Sequence, residues 1–156
     1  MIPQGSHPEI RRIRPDDEAQ WRAGFAAFWA HFNHALDREI YDLTWQRLFQ
    51  PAENMAAFGA FDAEKLVGLA HVVAHRSFSA IGRDHYLQHL FVAPEARRSG
   101  IARALIRHVY DVVEQEGGHR VYWNTPADNL PAIHLYDKIG SDTGYRLYRK
   151  EFPRRG

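Results

Sequence analysis

Residues 85–106, HYLQHLFVAPEARRSGIARALI, join an apolar run to a helical pattern and place Arg97, Arg98, Ser99 and Gly100 at the join. His85 to Val92 predicts a strand. After it, Ile101, Leu105, Val109 and Val112 recur at spacings of four, four and three, while Arg103, Arg107, Asp111 and Glu114 fall elsewhere. This is an amphipathic helix, ended by Gly117 and Gly118. A helix entrance exposes unpaired N–H groups and the positive end of the macrodipole, which suits an anion. Gly100 and Ala102 let a diphosphate approach the backbone, and Arg97, Arg98 and Arg103 add charge beside it. The lysine of a Walker loop and the triple glycine of a dinucleotide fingerprint are both missing.

Working outward, Glu9 to Arg14 predicts a short strand, with Pro15 and Asp16 as stop and N-cap for a helix. Trp21, Phe25, Phe28, Trp29 and Phe32 then recur at threes and fours, giving that helix an aromatic face. The face is a core stripe, and its exposed end is a candidate pocket wall. A second helix spans Glu39 to Phe49 and carries Tyr41, Trp45, Leu48 and Phe49 before Pro51. Met55–Phe61 and Leu66–Ala74 read as an antiparallel hairpin around the turn DAEK. Beyond the central helix come a strand at RVYWN, a helix from Asn129 to Ile139 stopped by Gly140, and a last strand YRLYRKEF. The order β-α-α-β-β-β-α-β-α-β is a mixed α/β pattern, with a hairpin before a βαβ crossover.

With 156 residues, 45% apolar and 25% charged, the chain is expected to fold as one domain, residues 1–8 being a disordered arm. A net charge of +1 supplies no basic field for nucleic acid. No cysteine is present, which excludes disulfides, thiolate nucleophiles and Cys-ligated zinc. The start MIPQGSHPEI does not read as a signal peptide, and no apolar run reaches membrane-span length. A cytoplasmic protein with no nucleic-acid, membrane or metal partner is expected.

RRSGIA, after a strand and opening a helix, resembles the Arg/Gln-x-x-Gly-x-Gly/Ala pattern of the GNAT N-acetyltransferase superfamily. NLPAIHLYDKIG resembles that superfamily's later helix, with Asn129 and Tyr136 seven residues apart. Together with LYDKIGSDTGYRLYRK, the match looks most like small members related to spermidine/spermine acetyltransferases and histone-acetyltransferase-like proteins. The resemblance implies a mostly antiparallel sheet flanked by helices and acetyl-CoA as cofactor. It places the pyrophosphate on Arg97, Arg98, Ser99, Gly100, Ile101, Ala102 and Arg103, and the pantetheine arm on the backbone of Leu90, Phe91 and Val92. It gives Asn129 and Tyr136 cofactor contacts, makes Tyr136 the acid that protonates the leaving thiolate, and implies a homodimer.

The implied activity is acetyl transfer to a primary amine of a small molecule: an amino acid, or a lysine-like or polyamine-like compound. Polyamine-acetylating relatives carry Glu-Asp where this chain has Gln88 and His89, and an amide accepts no proton. His89 could serve as base, provided a bulge re-aims it or its neighbour, because strand alternation sends them to opposite faces. Gln88, His75, Trp29 and Trp45 are the candidate substrate contacts. The missing carboxylate also leaves open a different class, an acyl-CoA-binding sensor or partner module with weak turnover.

Overall fold

Alternating and helical periodicities settle into five strands and four α-helices in the computed structural model, which describes residues 7–155. The expected arm over residues 1–8 lies outside the described residues apart from His7 and Pro8. The chain divides into two compact units, Met1–Trp123 and Asn124–Gly156.

The first unit contains β1 (Glu9–Arg12), α1 (Glu18–His31), α2 (Arg38–Leu48), β2 (Met55–Asp62), β3 (Lys65–His75), β4 (Asp84–Val92), α3 (Ile101–Gln115) and β5 (Arg120–Tyr122). The strands form one sheet in the order β1-β2-β3-β4-β5. The first three pairings are antiparallel, and β4 with β5, joined by the α3 crossover, is parallel. This is the mixed, mostly antiparallel α/β fold that the element order predicts.

Asp17, rather than Asp16, organises the entrance to α1. Its carboxylate accepts the Arg14 backbone N–H at 2.7 Å and a two-pronged bond from the Arg11 guanidinium at 2.7 and 3.0 Å. A bidentate arginine is a stronger and more directional partner than an exposed cap. The β2–β3 turn puts both Ala63 and Glu64 at positive φ, 43° and 70°, the handedness a two-residue hairpin needs. Gln20 clamps that turn to α1: its amide donates to the Glu64 carbonyl at 3.0 Å, and its oxygen accepts the Leu66 N–H at 2.7 Å.

The two faces of the sheet are covered separately. On one, Trp21 and Phe25 of α1 join Ile13, Ala57, Phe61 and Leu69 in a closed core, with Tyr41 and Trp45 of α2 packed against it. Trp21 is fully buried, so its truncation to alanine would cost about 3–5 kcal/mol. On the other face, α3 buries Ile101, Leu105, Ile106, Val109 and Val113. Val113 is the residue buried at the end of the stripe and Val112 is only half-buried, and both border a cavity of ≈ 500 Å³. The helix closes with Gly117 at φ 70°, its N–H donating to Glu114 and that of Gly118 to Val113, a Schellman stop that needs the left-handed residue.

The second unit contains α4 (Leu130–Ile139). The expected last strand, YRLYRKEF, is not a strand: residues 145–152 make no ladder among the described residues. Alternation alone does not hold a strand without a paired neighbour. Tyr145, Leu147, Tyr148 and Phe152 are all exposed instead. The strand expected at RVYWN is also shorter, ending at Tyr122.

Candidate active site

The β3–β4 register carries His71 opposite His89 but Val72 opposite Leu87, so Gln88 is an extra residue, a β-bulge at the position where alternation had to break. The consequence is visible in the lining of one cavity of ≈ 200 Å³, to which both Gln88 and His89 contribute. Phe25 and Trp29 of α1 and Ile40, Thr44 and Leu48 of α2 wall the same space. Among the described residues no charged side chain lines it.

His89 sits among aromatic rings, with centroids 4.7 Å from Phe28, 5.2 Å from Phe25 and 5.4 Å from Trp29. Its Nδ1 lies 3.2 Å from Nδ1 of the buried His71, whose Nε2 accepts a 2.8 Å bond from the Trp21 indole N–H. Burial pushes His89 down to about 4, and burial with the neighbouring His89 pushes His71 down to about 3. Both rings are therefore neutral at physiological pH, and His89 is a much weaker proton acceptor than an unperturbed histidine.

Beyond Tyr86, β4 leaves β5 behind, because the parallel pairing covers only Asp84 to Tyr86. Leu90, Phe91 and Val92 keep their partners on β3, namely Ala70, Leu69 and Gly68, and have no strand on the other edge among the described residues. The chain then turns through Pro94–Ala96 into the loop. Gly100 caps α3 at φ 81°, and among the described residues no atom beyond its chain neighbours lies within 4 Å of where its Cβ would stand. The neighbouring Arg98 is also left-handed, at φ 61°. The first α3 bond links Ala104 N–H to the Gly100 carbonyl at 3.0 Å, so the N–H groups of Ile101, Ala102 and Arg103 precede the helical ladder. Ser99 Oγ donates to the Ala96 carbonyl, and Arg97 Nε donates to the Val92 carbonyl at 3.3 Å, tying the loop to the strand. An open, backbone-lined turn with exposed Arg98 and half-buried Arg103 fits a diphosphate.

In the second unit Asn129 is the N-cap of α4, with Nδ2 3.3 Å from Thr125 Oγ1. Tyr136 follows two turns later on the same face. Burial pushes the Tyr136 phenol above its usual value, so it keeps its proton at neutral pH.

The sequence matches the family described as Acetyltransferase (GNAT) family over residues 17–140. This chain belongs to the GNAT acetyltransferase family. Membership places it among the N-acetyltransferases, EC class 2.3.1. It is 29% identical to D-amino-acid N-acetyltransferase HPA3 of Saccharomyces cerevisiae over 90% of this chain and 89% of that one. It is 31% identical to mycothiol acetyltransferase of Pseudarthrobacter chlorophenolicus, covering 89% of this chain and 45% of that protein. The chain thus spans about half the length of its mycothiol acetyltransferase relatives. Among solved structures, AAC(6')-Iy in complex with the bisubstrate analogue CoA-S-monomethyl-acetylneamine aligns with a TM-score of 0.80 at 21% identity, covering 94% of this chain and 100% of that one. A probable acetyltransferase aligns with a TM-score of 0.81 at 20% identity, covering 94% and 99%. At these identities the structural likeness establishes the fold.

Within this GNAT chain the remaining candidates separate. Trp29 lines the cavity beside His89, whereas Trp45 packs tilted against Trp21 at 5.1 Å and edge-on to Phe49 at 4.8 Å. His75 lies at the far end of β3 opposite Asp84, with Nε2 2.8 Å from the Tyr122 hydroxyl and Nδ1 2.9 Å from the Arg76 carbonyl. Its ring is occupied in holding β5. Sequence reasoning missed His71 and the Trp21 N–H. The available signal was a single polar residue inside the apolar run LVGLAHVVA, which burial obliges to find a partner. The larger ≈ 500 Å³ cavity, bordered by α3, is lined by none of the candidate site residues. Among the described residues no helix is long and apolar enough to cross a membrane.

Proposed function

We propose that this GNAT chain moves an acetyl group from acetyl-CoA to the α-amino group of a small, apolar amino-acid-like molecule by direct attack on the thioester. The single observation that carries the reading is the Gln88 bulge, beside a small cavity whose lining is mostly aromatic and aliphatic, with Thr44 and Gln88 polar, and holds no charged side chain among the described residues. At ≈ 200 Å³ it is smaller than the roughly 300–1,000 Å³ of drug-sized sites and suits one side-chain-sized body. A polyamine or lysine tail would lose its hydration there with no carboxylate to replace it.

The weak basicity of His89 agrees with the same acceptor class. A lysine-like amine, with a pKa of about 10.4, is well under one percent neutral at pH 7, while an α-amino group near 8 is about a tenth neutral. The latter brings its own nucleophile and needs no strong protein base. The yeast relative, a D-amino-acid N-acetyltransferase, points the same way.

When bound, acetyl-CoA supplies the activated acyl group. In this proposal the N–H groups of Ile101 to Arg103 and the Arg98 and Arg103 side chains hold its pyrophosphate. The open edge of β4 at Leu90–Val92 receives the pantetheine arm, and Asn129 adds a contact. Tyr136 returns a proton to the departing thiolate. A homodimer is part of the proposal, supported by the family resemblance and the exposed Tyr145, Leu147, Tyr148 and Phe152; a monomeric mass at micromolar concentration would remove it.

The test is thiol release with product mass determined across apolar amino acids of both hands, lysine, polyamines and basic peptides. Acetylated apolar amino acids are the expected products. Coenzyme A binding with no product from any acceptor would favour the sensor reading.

A further inference from the structure

Trp21, His71 and His89 form a hydrogen-bonded chain in which every proton position follows from the first. An indole nitrogen is a donor only. Trp21 Nε1–H therefore donates to His71 Nε2, which must be unprotonated. A neutral His71 then carries its proton on Nδ1, and that N–H points to His89 Nδ1 at 3.2 Å. His89 Nδ1 is thereby the acceptor, and the neutral ring holds its own proton on Nε2. Because His89 lines the cavity, and its Nε2 has no hydrogen-bond partner among the described residues, this second nitrogen presents an N–H rather than a lone pair. A second donor stands beside it. Trp29 lines the same cavity 5.4 Å from the His89 ring, and its Nε1–H is buried with no hydrogen-bond partner among the described residues. An orphaned buried donor costs roughly 1–3 kcal/mol unless an acceptor arrives.

We infer that the Trp21–His71 pair holds His89 as an N–H donor, and that His89 Nε2 and Trp29 Nε1 together form a subsite for a carboxylate or carbonyl oxygen of the acceptor molecule. His71 is a positioning residue, acting through His89. The substrate half of this inference rests on the reading of the cavity as the acceptor site; the proton arrangement does not. Among the described residues no carboxylate lines the cavity, and the titratable groups packed around the pair are Tyr41, edge-on to Trp21 and Phe25, and His34, 5.2 Å from Trp29. Burial holding both histidine pKa values down agrees with a neutral chain.

Two measurements test it. Long-range proton–nitrogen NMR of the uniformly labelled protein reads each tautomer without any substrate. His71 is expected as the Nδ1–H form and His89 as the Nε2–H form, unchanged from pH 8 to pH 5; a His89 proton on Nδ1, or titration near pH 6.5, overturns the arrangement. The second compares His89→Gln with His89→Phe on a free apolar amino acid as acceptor and on the amine lacking its carboxylate. Gln keeps a donor and cannot act as a base, so it should retain kcat within tenfold. Phe should raise KM for the amino acid at least tenfold and leave the decarboxylated amine's KM nearly unchanged. A hundredfold or greater fall in kcat for both variants on both acceptors would make His89 a base and refute the donor subsite.

Discussion

Gln88 and Tyr136 carry opposite kinds of residue-scale evidence. Gln88 is exposed on the bulge and lines the cavity, so Gln88→Glu places a carboxylate at an uncharged site without disturbing the core. The variant should gain at least tenfold in kcat/KM for polyamine-like amines relative to apolar amino acids, because a carboxylate attracts the cationic chain and favours loss of an amine proton. Steady-state kinetics on both acceptors checks this, and an unchanged preference would move substrate selection elsewhere. Tyr136, protonated at neutral pH, should behave as an acid: Tyr136→Phe is expected to lower kcat by roughly ten- to ten-thousandfold with coenzyme A affinity preserved. Full turnover in that variant, where chemistry limits the rate, would end the assignment. The residue scale is also where the sequence misled. Asp16 and Val112 were plausible by spacing, but the Arg11 fork selects Asp17, and α3 buries Val113 while Val112 stays half-buried.

At the scale of elements, β4, the loop and α3 were legible because three independent signals agree there: an apolar run, a helix period and the glycine between them. The bulge was legible only as a condition, since register depends on the partner strand and β3 is remote in sequence. The loop's function hangs on backbone access. Gly100→Val should weaken coenzyme A binding by more than tenfold in titration calorimetry while the protein remains folded by circular dichroism. The φ of 81° itself adds a strain of roughly 1–2 kcal/mol for any side chain, and the open space beyond the absent Cβ is the space a diphosphate needs. Unchanged affinity in a folded variant would show that the phosphates bind elsewhere. The last predicted strand failed because YRLYRKEF carries the right alternation but has no ladder partner among the described residues, and pairing is a property of two segments.

For the whole molecule, fold and family were readable from motif order, whereas the buried histidine pair was not, because His71 and His89 meet only when β3 and β4 pair. That pair also marks the protein's stability. Native His71 and His89 stay neutral down to about pH 3 and 4, while the unfolded chain protonates them near 6.5. Between those limits the unfolded state binds more protons, so stability is full above about pH 6.5 and falls as the solution is acidified, by about 1.4 kcal/mol per pH unit for each ring. Asp17, held low by its hydrogen bond to Arg11, adds its loss only below the ordinary carboxylate range, outside this window. Urea midpoints measured from pH 7.5 to 4.5 should therefore decline, and a His71→Phe variant that folds should decline less steeply; a flat wild-type profile would contradict neutral burial. The central claim, an uncharged cavity that accepts an apolar α-amine, is tested most directly by the ratio of kcat/KM for phenylalanine to that for spermidine, measured by thiol release at saturating acetyl-CoA. The account predicts at least a tenfold preference for the amino acid; a preference for spermidine would contradict it.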